Sequence, residues 1–140
     1  MKKIVVVYIL SLTIVWLLSG CSNSLTGATI VSNRDLEAGE ITNMYLTITH
    51  TNGIFESGQF DVSITFNSGE GVEVIDDSYK VIRTDNITNL VGTVSKTYKI
   101  RAKSISARQI VDNVVINLKD NKGLSSVVIS PDITVRHGRN

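Results

Sequence analysis

An all-β fold, an antiparallel sandwich of seven or eight strands, is predicted by three observations. Apolar and polar residues alternate with period two in several windows of the second half and middle of the chain. Between those windows lie clusters of Asn, Asp, Ser and Gly, which supply the conformations that tight turns need. No window beyond residue 21 carries an apolar stripe at helical spacing.

One element precedes the sandwich. Lys2 and Lys3 are followed by an apolar run from Ile4 to Leu18 and then by the small residues Ser19 and Gly20, the order of a secretory signal peptide. This predicts a signal-peptide helix over 1–20. Leu18-Ser19-Gly20-Cys21 resembles the bacterial lipobox, in which a peptidase cuts before a cysteine whose thiol has been acylated. The resemblance implies a lipoprotein in which Cys21 carries the lipid (diacylglyceryl and palmitate chains) and the membrane is a partner through it. An uncleaved transmembrane anchor would want about 20 apolar residues, and this run is shorter. An ordinary signal peptide with an incidental cysteine is the other alternative, but Cys21 is the only cysteine in the chain. The expected location is the cell envelope, on the extracytoplasmic side of a membrane. Ser22 resembles the residue that sends lipoproteins to the outer membrane in Gram-negative cells.

A single thiol can build neither a disulfide framework nor a cysteine-rich metal site. The mature domain must therefore hold by its core, and some 120 residues suffice for one. Residues 21–27 begin with the lipidated cysteine and continue Ser-Asn-Ser-Leu-Thr-Gly, small and polar, which predicts a flexible tether reaching no more than about 20 Å. The sandwich is assigned to 28–140.

Two strands stand out. In 44–50, Met44, Leu46 and Ile48 alternate with Tyr45, Thr47 and Thr49; in 60–67, Phe60, Val62, Ile64 and Phe66 alternate with Asp61, Ser63, Thr65 and Asn67. Strand 98–103 sets Tyr98, Ile100 and Ala102 against Lys99, Arg101 and Lys103, and strand 114–119 sets Val114, Ile116 and Leu118 against Asn113, Val115, Asn117 and Lys119. Ile64 and Ile100 should therefore be core, with Ser63 and Arg101 outside. Weaker strands are expected at 28–32, 72–76, 79–84 and 125–136. Pro131 should mark an edge, a bulge or a break in the last of these, because it cannot donate to a ladder. Turn residues separate the strands at Asn52-Gly53, Asn67-Ser68-Gly69, Asp76-Asp77-Ser78 and 119–123. This spacing fits an immunoglobulin-like sandwich, with a closed barrel as the other arrangement. The paired cysteines around a tryptophan are missing, since Trp16 lies in the signal peptide.

Gly39-Glu40, the strand 44–50 ending in Thr51-Asn52-Gly53, the strand Gln59 to Phe66, and Val91-Gly92-Thr93-Val94-Ser95-Lys96-Thr97-Tyr98-Lys99-Ile100 resemble the CARDB-type domains of prokaryotic surface proteins. The resemblance covers about 40–135 and departs from the pattern at His50, which stands where the turn asparagine is expected. It implies an immunoglobulin-like fold and an adhesion or scaffolding context, and it brings no catalytic residues.

Charge is divided along the chain. Its 14 bases and 13 acids become 12 and 13 once Lys2 and Lys3 are removed, so the mature protein suits neither nucleic acid nor acidic lipid as a whole. Residues 21–95 hold three bases against ten acids, and 96–140 hold nine against three. The outward row Lys99, Arg101 and Lys103 is therefore a candidate partner-binding surface. The reading favoured first is solvated surface neutralised by an acidic strand, with Glu70, Glu73, Asp76 and Asp77 as the acids.

Reactive constellations are not evident. His50 at a strand end and His137 in the tail read as surface histidines, not ligands. The acids of 70–77 are interrupted by Val72, Val74 and Ile75, unlike the close alternation of a Ca²⁺ loop. There is no Gly-x-Ser-x-Gly elbow and no phosphate loop. No cofactor, no metal site and no enzyme activity is expected. Asn86-Ile87-Thr88 matches the glycosylation sequon, which arises often by chance. Two functions fit: a non-catalytic interaction, adhesion or assembly module binding an envelope protein or glycan, or a small-ligand or ion-binding lipoprotein serving a transporter or sensor. An aromatic-lined pocket would favour the second. Of Tyr45, Phe55, Phe60, Phe66, Tyr79 and Tyr98, at least three are assigned to core faces, which favours the first.

Overall fold

The computed structural model describes residues 23–51 and 59–138. The expected helix over 1–20, with Leu18, Ser19, Gly20 and Cys21, and the turn at Asn52-Gly53 lie outside the described residues.

Eleven strands are described: β1 (Ser24–Val31), β2 (Asp35–Glu37), β3 (Ile41–Thr51), β4 (Phe60–Ser68), β5 (Val72–Ile75), β6 (Thr84–Leu90), β7 (Gly92–Ala102), β8 (Gln109–Asp112), β9 (Val114–Asp120), β10 (Ser125–Ile129) and β11 (Ile133–Arg136). Two four-stranded antiparallel sheets, ordered β1-β3-β7-β5 and β10-β9-β4-β6, make the two layers, and β2-β11-β8 forms a small third sheet. This is an immunoglobulin-like sandwich and not a closed barrel.

Alternation decides which side chains enter the core. Met44, Leu46 and Ile48 from β3, Ile100 and Ala102 from β7, Val62 and Ile64 from β4, and Val114, Ile116 and Leu118 from β9 are all buried in one cluster between the sheets. Ile64 and Ile100 have no exposed surface, whereas Ser63 is exposed and Arg101 half-buried on the outer face. Phe66 meets Tyr98 edge to face, with centroids 4.7 Å apart. Pro131 breaks the 125–136 segment into β10 and β11, strands of two different sheets.

Three expectations are corrected. Residues 24–27 are not tether. They open β1, pairing Ser24 to Thr51 and Gly27 to Ile48, and Leu25 is buried. At Gly27, β1 packs tightly on the other sheet: a Cβ there would stand 2.6 Å from Val128 Cγ2 and 3.0 Å from Leu118 Cδ1. The strand expected at 79–84 lies instead at 84–90. Residues 76–80 form a turn closed by the Asp76 carboxylate, which accepts from the Ser78 and Lys80 amides, with Tyr79 at φ 62°. Strand β6 hides its own period because it carries a bulge: Phe60 pairs with Leu90 but Val62 with Ile87, so its buried residues are three apart. Finally, β2 and β8 are strands that sequence patterning does not reveal. Each is three or four residues long and flanks β11, whose Ile133 and Val135 are fully buried.

The third sheet closes one end of the sandwich. Gly39, at φ 89°, sends its amide to the Ala102 carbonyl, and Glu40 receives the Ala102 amide. That left-handed backbone is what the glycine of Gly39-Glu40 supplies.

Candidate functional site

The basic row does not stand free. Arg101 Nη2 lies 2.7 Å from Glu73 Oε1, and its Nε donates to the same oxygen at 2.8 Å. Their strands pair with these residues in register. Lys99 Nζ lies 3.1 Å from Asp77 Oδ1 and 5.7 Å from the centroid of the Tyr79 ring. Lys103 lies past the end of β7 and has no ion-pair partner among the described residues. Two of the three bases are thus matched by the acids of the 70–77 segment, in the internal arrangement that the sequence also allows.

Of the other acids of that segment, Asp76 closes its own turn and Glu70 is exposed. Glycines 69 and 71 bind an anion with their backbone: Asp112 accepts from the amides of Gly69, Gly71 and Val72 at 3.1, 2.9 and 3.0 Å. A Cβ at either glycine would stand within 2.9 Å of Asp112. This polarity is the reverse of a cation loop, and among the described residues no group of three His, Cys, Asp or Glu could hold a metal ion.

His50 is a buried residue and not a surface one. It is 3% exposed, stacks on Phe60 with centroids 3.7 Å apart, and places Nε2 2.9 Å from Asp120 Oδ2. Asp120 Oδ1 accepts from the Lys122 and Leu124 amides in the β9–β10 turn. Burial pushes the Asp120 carboxyl up, but the His50 bond and the two backbone bonds outweigh it and hold the group below the usual carboxylate range. An ionised carboxylate only accepts, so Nε2 carries the proton of this bond. The pair ties the two layers together. His137 is exposed in the tail, with Nδ1 2.8 Å from the Ile105 carbonyl.

A cleft of about 490 Å³ opens between the edges of β5 and β6, lined in part by Asp76, Asp85, Tyr98 and Lys99. Asp85 accepts from Lys96 Nζ and from the Tyr98 hydroxyl, each at 2.7 Å. Burial pushes the Asp85 carboxyl up, but these donors and the Asn86 amide hold it below the ordinary value. Burial and the neighbouring Asp85 charge push the Tyr98 hydroxyl far above it. The polar groups here already satisfy one another, and the sole aromatic in the lining, Tyr98, is 6% exposed. Asn86 of the sequon is exposed on β6.

The outer face of the β1-β3-β7 sheet is different. Register places Thr26, Thr49 and Thr93 side by side across three strands, then Ala28, Thr47 and Ser95, then Ile30, Tyr45 and Thr97. Period two sends all nine to the solvent side. Thr49 Oγ1 lies 3.0 Å from Thr93 Oγ1, and Thr47 Oγ1 3.2 Å from Ser95 Oγ. Ile30 is 68% and Tyr45 42% exposed. None of the nine is Asp, Glu, Lys, Arg or His; charge resumes only at the next ranks, with Lys99 beside Asn43 and Arg101 beside Ile41. Sequence reading passed over this face because each strand alone shows ordinary polar alternation. Its signal in the sequence is a hydroxyl residue at every second position, Thr47, Thr49 and Thr51 in one strand and Thr93, Ser95 and Thr97 in another.

No protein-family model and no curated protein matches the sequence. Among solved structures the fold is similar to the CARDB domain of a Pyrococcus furiosus protein, crystallised in complex with di-metal ions, at TM-score 0.50 and 11% identity over 83% of this chain and 96% of that one. A conjugative transposon lipoprotein from Bacteroides eggerthii aligns at TM-score 0.47 and 14% identity over 76% and 95%. A lipoprotein from Bacteroides thetaiotaomicron aligns at 0.43 and 18% over 85% and 82%. The fold is that of a CARDB-like, immunoglobulin-type sandwich.

Proposed function

We propose that this chain is a lipid-anchored module of the cell envelope that acts by binding an envelope component and not by catalysis. The observation that carries it is the order of the N-terminal segment: Lys2-Lys3, an apolar run, then Leu18-Ser19-Gly20-Cys21 with no other cysteine. The fold agrees with such a role. Strand β1 begins at Ser24, so an acyl group on Cys21 holds the sandwich within a few residues of the bilayer. The outer face of the β1-β3-β7 sheet is offered from there, and the carboxylates Asp76, Asp77 and Asp85 of the β5–β6 cleft are already bonded within the fold.

Acylation is tested by fractionating cells that carry the wild type or Cys21→Ala and by the mass of the mature N-terminus. Each buried CH₂ contributes about 0.8 kcal/mol, so two or more chains anchor stably. Wild type should partition to membranes with a lipid mass on Cys21, and the variant should not. Equal membrane association of both, with no added mass, would overturn the reading.

A further inference from the structure

We propose that the outer face of the β1-β3-β7 sheet docks an uncharged polysaccharide strand. Three features of that face select this partner. First, it is neutral across three ranks of side chains, so it offers nothing to a polyanion or a basic peptide, whose steering needs opposite charge. Second, its centre pairs hydroxyl with hydroxyl, Thr47 with Ser95 and Thr49 with Thr93. Each hydroxyl can donate one hydrogen bond and accept two, so every pair keeps capacity for a ligand that both donates and accepts, as sugar hydroxyls do. Third, Tyr45 and Ile30 lie side by side in the adjoining rank and are exposed, giving an apolar platform for the C–H face of a pyranose ring.

A second copy of this chain fits less well. Sheets that pack face to face interdigitate apolar side chains, and doing so here would bury the hydroxyl rows against one another or against Ile30 and Tyr45, leaving polar capacity without partners. A glycan returns hydroxyls for the water it displaces. Successive strands stand about 4.8 Å apart and alternate residues about 7 Å apart, so the hydroxyls form a grid on which an extended polymer meets the same chemistry repeatedly. The inference deepens the interaction-module reading but uses only the domain, and it is independent of the anchor.

The test is retention of the purified full chain in detergent on cellulose and chitin powders. Wild type should be retained on at least one of them, and retention should persist in about 1 M NaCl, where exposed charge pairs are screened. Tyr45→Ala, and separately Thr47→Glu with Ser95→Glu, should weaken retention about tenfold or more, the scale of removing an interface anchor, with melting temperatures checked for each. If the double variant melts early, Tyr45→Ala alone decides. Absence of retention on both powders, equal retention by Tyr45→Ala, or a wild-type dimer in sedimentation that these substitutions dissociate would each overturn the proposal. Failure here with acylation of Cys21 intact would leave the anchored module standing.

Discussion

His50 Nε2 and Asp120 Oδ2 meet at 2.9 Å between the two main sheets, with neither side chain exposed to solvent. Removing one member of such a pair leaves the other buried without its partner, at a cost of about 3–5 kcal/mol. His50→Ala and Asp120→Ala should each lose that much in urea unfolding. The pair also sets an acid limb. The Asp120 carboxyl is held below its unfolded value, so its contribution is complete above about pH 4 and is lost as pH falls through the lower folded value. Asp120→Asn should be less stable at neutral pH and flatter below pH 4 than the wild type. An acid limb of unchanged slope in Asp120→Asn would show that other carboxylates govern it.

The alkaline side has its own reporter. The Tyr98 hydroxyl, bonded to Asp85, ionises far above the tyrosine of an unfolded chain. Its contribution is therefore complete below about pH 10 and declines as pH rises beyond that toward the folded value. Tyr98→Phe should cost about 1.5–3 kcal/mol at neutral pH, the scale of a hydrogen bond to a charged acceptor, and should show a shallower loss of stability above pH 10.

Gly27 separates a strand from a tether. A Cβ at this position would stand 2.6 Å from a Val128 methyl, so Gly27→Val should cost about 1–3 kcal/mol through overpacking. A flexible linker would accept the change without effect, and an unaltered melting temperature would remove Gly27 from the sheet interface.

Arg101 and Glu73 are partly exposed, at 29% and 22% of their side chains. Pairs of this kind contribute about 0–1 kcal/mol. Arg101→Glu should lower the melting temperature slightly by facing Glu73, and the exchange Arg101→Glu with Glu73→Arg should restore it. Restoration is the measurement that assigns this base to the fold itself.

The sheet faces were legible in the sequence because period two has one physical cause: a strand with one side on a core. Met44, Leu46, Ile48 and the Phe60 to Phe66 set show it without interruption. Strand β6 escaped because its bulge puts Leu90 out of step with Ile87, and because the inward position in step with Ile87 is held by a charged residue, Asp85, which meets Lys96 and Tyr98. Strands β2 and β8 escaped because three or four residues cannot display a period. The burial of His50 is written in its own strand, two residues beyond Ile48 on the apolar side, but a polar side chain at a strand end beside Asn52-Gly53 reads as surface. Its partner Asp120 lies 70 residues away, a distance no local pattern spans. The threonine face required the register of three strands before its rows could be seen.

Strand β11 holds the centre of the third sheet, antiparallel to β8 and parallel to β2, and Arg136 reaches Asp35 across 101 positions of sequence. Closing so long a loop is entropically late and slow. Strand β2 therefore waits until its partner strand arrives, whose Arg136 lies 101 positions beyond Asp35. Ile133 and Val135 cannot seal their end of the core before then. The third sheet is thus a late clasp: the two main sheets can form through nearer contacts, and this end of the core seals when β11 reaches β2.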